Sequence, residues 1–442
     1  MVSFSSGLCS FGVLFCLLDS VSAQVTCNRG PDALTNGLRT NVPQTCIEVP
    51  EGDESDETQT RCYYTYVPES CSLTEPVPLV VDVHGFGGCP LWHTFYSGWK
   101  EKADENCFAV VWPSGTFQED GDGGCFQLPG FLRSEDYGTT GGNNVTTSPC
   151  CCGGAFLSRD SGINDPLFLK MTIDQVIADT PSSFGGLVID TKRVYMTGHS
   201  NGCIASLSMA ALYSETIAAV CCTAGALATP FPDPDDYSSP VPIWMVHGMK
   251  DDTIEYDGSS YTDELGFWSM DQTMDYLAKQ NGCSAEVVTE SDLVGEDKDE
   301  NEAIIGTIYQ RTDCKADVEL VALFEAGHFP YKVNPIFERL VTSWGETPVK
   351  TDTTAMAWEF CSAHTNEDTV VVKEEDPNEV EKIEEEEGLN DVENDGKKEE
   401  EEEEEEETQS TSSSLTESSA WKLRSCKFFL GALLSVSILG FL

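Results

Sequence analysis

A serine between small residues, two adjacent aspartates and a late histidine are the side chains of this sequence best placed to do chemistry. The serine is Ser200, in Gly198-His199-Ser200-Asn201-Gly202, a G-x-S-x-G pattern. An apolar run (194–198) precedes it and a helical-looking run (203–213) follows. That context predicts a strand-to-helix turn so sharp that glycines must flank the serine, whose hydroxyl then stands above the sheet. A serine hydroxyl attacks a carbonyl only when a base takes its proton and a carboxylate orients that base. On this kind of turn the three groups follow the chain order Ser, Asp, His. Asp251 and Asp252 come next, just beyond an apolar run ending at His247, and His328 follows the last apolar run. The residues alone leave the choice between Asp251 and Asp252 open.

His328 is the expected base among six histidines. His84 and His247 both sit in His-Gly pairs at strand ends, where a ring commonly pins a loop. His199 adjoins the serine, and neighbouring side chains on a sharp turn point apart. His364 borders an acidic segment, and His93 lies in an aromatic stretch. An acyl-transfer site also needs N–H donors for the oxyanion. One is the backbone N–H of Asn201, at the start of the following helix. The other is expected from the glycine-rich loop after an early strand, in "VDVHGFGGCP" (81–90), with Phe86 favoured over Gly87. Trp92, His93 and Trp99 follow that loop; they read either as an aromatic substrate pocket or as plain helix packing.

Something must position these groups. Short, nearly all-apolar runs at 62–68, 79–83, 108–112, 194–198, 218–225, 242–248 and 318–324 read as strands buried on both faces of a largely parallel sheet. Helical patterns at 165–180, 203–213, 268–280 and 334–345 alternate with them. The fold class expected is α/β, with helices on both faces of the sheet.

The ends of the chain speak of its compartment. Residues 1–23 carry an apolar stretch and the small-x-small site Val21-Ser22-Ala23, as a cleaved signal peptide does. Removing Cys9, Cys16 and Cys426 from 19 cysteines leaves an even 16, which in a secreted chain argues for disulfides rather than a metal site. Asn144-Val145-Thr146 is a glycosylation sequon. Residues 24–364 read as one folded unit, and 365–420 as an acidic stalk that cannot bury enough apolar surface to fold. Between Glu367 and Glu407 there are 23 acidic residues against four lysines, and the whole chain carries a net charge of −51, which excludes nucleic acid as a partner. Small residues at 418–420, a polar spacer and a terminal apolar tail within 421–442 give the signal for a glycosylphosphatidylinositol anchor attached at Ser418. A spanning tail is the alternative, disfavoured by the tail's short length.

The string "PLVVDVHGFGG", "DTKRVYMTGHSNGC", "HGMKDDTIEY", "NGC" and the final "GHF" resembles the secreted LpqC-like esterases, the family of poly(3-hydroxybutyrate) depolymerases and feruloyl esterases. The resemblance runs from about Arg61 to Trp344. It implies an α/β-hydrolase fold, with Ser200 as nucleophile, His328 as base and Asp251, rather than Asp252, as acid, from the pattern His-Gly-x-x-Asp followed by the aromatic Tyr256. It also implies a disulfide between Cys283 and Cys314. The sequence departs from the family at Cys203, where a second glycine is usual, and at "GHFPY", which replaces "GHTWP". The expectation is a surface-tethered serine ester hydrolase that needs no metal or organic cofactor and acts on an ester substrate. A non-catalytic binding or adhesion module on the same scaffold is the competing reading, and such a module has no use for a complete triad.

Overall fold

The computed structural model describes residues 42–50, 58–71, 74–117, 124–126, 164–227, 239–260, 266–284, 288–296, 301–332, 335–343 and 346–367. The expected signal peptide, Asn144, the acidic stalk beyond residue 367, Ser418 and the apolar tail lie outside them. Fourteen strands are described: β1 (Gln44–Pro50), β2 (Thr58–Tyr66), β3 (Val77–Val83), β4 (Ala109–Pro113), β5 (Thr116–Phe117), β6 (Gly124–Cys125), β7 (Ile189–Gly198), β8 (Ala219–Thr223), β9 (Ile243–Gly248), β10 (Ser259–Ser260), β11 (Gly266–Phe267), β12 (Val288–Glu296), β13 (Glu302–Arg311) and β14 (Val318–Leu323). The helices are α1 (Pro90–Ser97), α2 (Trp99–Asn106), α3 (Asp165–Ser183), α4 (Asn201–Leu212), α5 (Met270–Gln280), α6 (Pro335–Ser343) and α7 (Thr353–Cys361).

Ten strands form one sheet in the order β1-β2-β4-β3-β7-β8-β9-β14-β13-β12. The middle six, β4 to β14, pair in parallel, and antiparallel strands extend both edges. The apolar runs become these central strands because both of their faces are covered. On β3, Leu79, Val81 and Val83 join the core that includes Phe168, Ile173 and Ile204, while Val80 joins the opposite core with Trp99, Phe108 and Tyr195. Successive side chains on a strand point to opposite faces, so one seven-residue strand feeds both cores.

The same alternation explains the adjacent cysteines of β8. Cys222 faces α4 and is bonded to Cys203, whereas Cys221 faces the other side and is bonded to Cys361 at the end of α7. Cys46–Cys62, Cys71–Cys107 and Cys283–Cys314 are the other described pairs. Cys89 is disulfide-bonded as well. This density of cross-links belongs to an oxidising compartment such as the cell exterior. Among the described residues no helix is long and apolar enough to cross a membrane.

Candidate active site

The elbow forms because strand β7, ending at Gly198, must become helix α4, starting at Asn201, within two residues. Ser200 takes φ 57° and ψ −118°, a backbone conformation that residues other than glycine rarely adopt. Its N–H donates to the Thr223 carbonyl at 2.9 Å, and the preceding His199 N–H donates to Val83 O at 3.0 Å, so the turn is tied to both neighbouring strands. The flanking glycines are there for space. A Cβ on Gly202 would stand 2.0 Å from Val83 O, and one on Gly198 would stand 2.6 Å from the Gly202 carbonyl. No side chain fits at either position. Ser200 itself is 7% exposed.

The ends of β9 and β14 bring the other two groups together. His328 Nδ1 donates to Asp251 Oδ2 at 2.7 Å. The other oxygen of Asp251 accepts the N–H groups of Thr253 at 2.8 Å and Ile254 at 2.9 Å. Asp252 is exposed to solvent. Burial raises the Asp251 carboxyl, but the charge and hydrogen bond of His328, the nearby His247 and the Ile254 N–H outweigh it and hold the group below its usual range. Burial lowers His328, and the Asp251 carboxylate, aided by Glu346 and Asp252, more than reverses this, so its imidazole is more basic than usual. Each partner stabilises the charged form of the other.

His199 joins the serine to the base. Its Nε2 donates to the His328 carbonyl at 2.6 Å, and the two rings lie 4.7 Å apart. The turn carrying His328 is therefore fastened to the residue just before Ser200. Burial, with the adjacent His328 adding to it, drives the His199 imidazole well below its ordinary range and keeps it neutral. His199 thus holds the turn rather than pointing away from the site.

Two N–H groups expected from the sequence to face an oxyanion are without an acceptor among the described residues. In the loop 84–89 the Gly87 N–H donates to Gly124 O at 2.9 Å and the Gly88 N–H to Gly85 O at 3.0 Å. Gly87 is thereby spent, and among the described residues nothing accepts from the N–H of Phe86 or of Asn201. His84 keeps the loop in place. Its Nδ1 donates to Gly85 O at 2.8 Å, and its Nε2 accepts the Gly115 N–H at 3.0 Å. The side chain of Asn201 adds a clamp that its sequence position did not reveal: it accepts from Phe126 N at 2.7 Å and donates to Phe126 O at 3.1 Å.

Of the two readings of Trp92, His93 and Trp99, burial favours helix packing for His93 and Trp99. His93 is 0% exposed, with Nε2 2.7 Å from Asp82 Oδ1 and Nδ1 2.8 Å from the Tyr96 hydroxyl. Asp82 also accepts from Ser97 and from Trp112 Nε1. Trp99 is 1% exposed and donates to Thr197 Oγ1 at 3.2 Å. Both residues are core groups holding α1 and α2 against the sheet, and only Trp92 retains partial exposure.

No family model matches the sequence, and no curated protein matches it. Among solved structures the chain is similar to an acetyl xylan esterase from Aspergillus awamori, with 16% identity and a TM-score of 0.39 over 64% of this chain and 94% of that one. It is also similar to esterase PE8, with 13% identity and a TM-score of 0.37 over 67% of this chain and 97% of that one. A third is an S-formylglutathione hydrolase from Agrobacterium tumefaciens, with 14% identity and a TM-score of 0.32 over 53% and 82%. The fold is the α/β-hydrolase fold. Its marks are the parallel centre of the sheet, the elbow between β7 and α4, and an acid and a histidine at the ends of β9 and β14.

Proposed function

We propose that the chain is a serine carboxylic ester hydrolase working through an acyl-enzyme. The observation that carries this reading is the 2.7 Å bond between His328 Nδ1 and Asp251 Oδ2, on a turn fastened by His199 to the strained Ser200 elbow. Ser200 Oγ attacks the ester carbonyl while His328 Nε2 takes its proton, and Asp251 holds the imidazole in the tautomer that leaves Nε2 free to accept. The N–H groups of Phe86 and Asn201 hold the oxyanion, the latter aided by the dipole of α4. His328 then passes the proton to the leaving alcohol. Water enters, His328 activates it, and the acyl group departs as the acid.

The substrates that fit the family-like motifs are feruloyl or other polysaccharide-linked esters and hydroxyalkanoate polyesters. The proposed setting is the cell surface, reached through a signal peptide and a lipid anchor at Ser418, with glycosylation at Asn144. The test is turnover of short p-nitrophenyl esters and methyl ferulate by the purified protein, wild type against Ser200→Ala. A loss of at least about 10³-fold in the variant is expected. Equal rates for the two proteins would refute the esterase reading.

A further inference from the structure

We propose that Glu346 is a positioning residue for the base, tying down the backbone next to His328 and placing a negative charge beside its imidazole. This rests on the reading of His328 as general base. Glu346 lies between α6 and α7, far in sequence from the triad's acid. Its Oε2 accepts the Phe329 N–H at 3.1 Å. The same oxygen abuts Gly327, where a Cβ would stand only 2.8 Å away. Gly327 and Phe329 are the immediate neighbours of His328, so one carboxylate oxygen is bonded to the backbone just after the base and fills the space where a side chain just before it would lie.

The charges around His328 single this carboxylate out. Asp251 and Asp252 face it from the loop after β9, His247 from β9, His199 from the elbow and Glu346 from the segment after α6. Burial keeps His199 and His247 neutral, and Asp252 is exposed to water, which screens it. Asp251 and Glu346 are left as the partly or fully buried anions acting on the imidazole. The Glu346 carboxyl is itself pushed up by burial, against the pull of His328 and the Phe329 N–H. A purely mechanical tie from this position needs only an acceptor oxygen, which a glutamine supplies. A carboxylate adds a negative charge that favours the imidazolium formed when Ser200 gives up its proton.

Glu346→Gln separates the tie from the charge. In protein labelled at histidine, the His328 ring resonance, assigned by its loss in His328→Asn, is expected to titrate about half a unit to one unit lower in Glu346→Gln than in the wild type. The acid limb of kcat/KM should move down in pH by the same amount, with KM unchanged on the plateau. Glu346→Ala should add a fall of about tenfold in kcat, since the Phe329 N–H loses its acceptor. If Glu346→Gln does not fold, the reciprocal measurement replaces it: His328→Asn should raise the titration midpoint of the Glu346 carboxyl. An unmoved His328 midpoint in Glu346→Gln, or an unmoved Glu346 midpoint in His328→Asn, overturns the proposal. The histidine titration needs no turnover. If Ser200→Ala matches the wild type in the ester assay, the esterase reading fails while the coupling of Glu346 to His328 is still decided.

Discussion

Asp251 and His328 are 77 residues apart in sequence and joined by a 2.7 Å hydrogen bond, while Asp252, the very next residue, is exposed and takes no part in it. Two backbone N–H groups fix the second oxygen of Asp251, so the carboxylate cannot swing to let its neighbour substitute. Asp251→Asn should lower kcat by about 10³- to 10⁴-fold, because the asparagine presents the wrong hydrogen-bonding partner to Nδ1. Asp252→Asn should stay within about threefold of wild type. Steady-state rates on a p-nitrophenyl ester check both, and the reverse ranking would move the acid to Asp252.

Buried histidines make the fold sensitive to acid. Burial pushes His84 down to about 3, against its Gly85 hydrogen bond, and lowers His199 and His247 as well. A folded-state value below the unfolded one means that the unfolded chain takes up protons first as pH falls through about 6.5. Their contribution is therefore present above that pH and shrinks below it. His84 alone should cost about 2 kcal/mol between pH 6.5 and pH 5. His328, whose value is raised, acts in the opposite sense: its stabilisation is complete below the unfolded value and is lost as pH rises through the folded one. Three histidines outweigh one, so the melting temperature should drop from pH 7 to pH 5. A flat or rising melting curve over that range would mean that these rings protonate in place.

The central sheet was legible because its strands are buried on both faces and so read as unbroken apolar runs. The hairpin β12–β13 was not. In "VTESDLVGE" most side chains are exposed, and its charged residues carry no strand signal of their own; pairing with β13, itself paired with β14, makes it a strand. Helix α7 was missed for another reason. "TTAMAWEFC" borders the acidic segment, and what places it is the Cys361–Cys221 bond, which no spacing rule gives. At the site, the order of Ser200, Asp251 and His328 could be read because each stands at a recognisable strand end. The roles of His93, Trp99, Glu346 and the Asn201 side chain could not, because each depends on contacts between segments distant in sequence, and an aromatic stretch looks the same whether it lines a cleft or fills a core.

Gly202 offers a sharp steric test. With Val83 O only 2.0 Å from the position of a Cβ, Gly202→Ala must pry helix α4 away from strand β3. The expected cost is about 2–4 kcal/mol of stability, with activity falling further than the folded fraction because Ser200 moves with the helix. Gly87→Ala is the comparison. Nothing lies within 4 Å of a Cβ there, and the strain comes only from its φ of 68°, so the loss should be about 1–2 kcal/mol. Thermal unfolding of the two variants side by side decides the matter, and equal losses would remove the steric account of the elbow.

The two bonds from β8 should differ in what they stabilise. Cys203–Cys222 spans 19 residues and fastens the first turn of the elbow helix to the sheet, in a space so close that a Cβ on Gly225 would meet Cys203 Sγ at 2.6 Å. Cys221–Cys361 spans 140 residues and holds α7 to the opposite face. By the entropy of the unfolded loop the first is worth about 3 kcal/mol and the second about 5. Double alanine variants of each pair should therefore rank in that order by loss of melting temperature. Activity should rank the other way. Cys203 stands three residues after Ser200, so loosening it releases the elbow, whereas α7 lies across the sheet from the α4 face. If loss of the Cys221–Cys361 bond harms kcat more than loss of Cys203–Cys222 at temperatures where both variants are folded, α7 is coupled to the site in a way that its place behind the sheet does not explain.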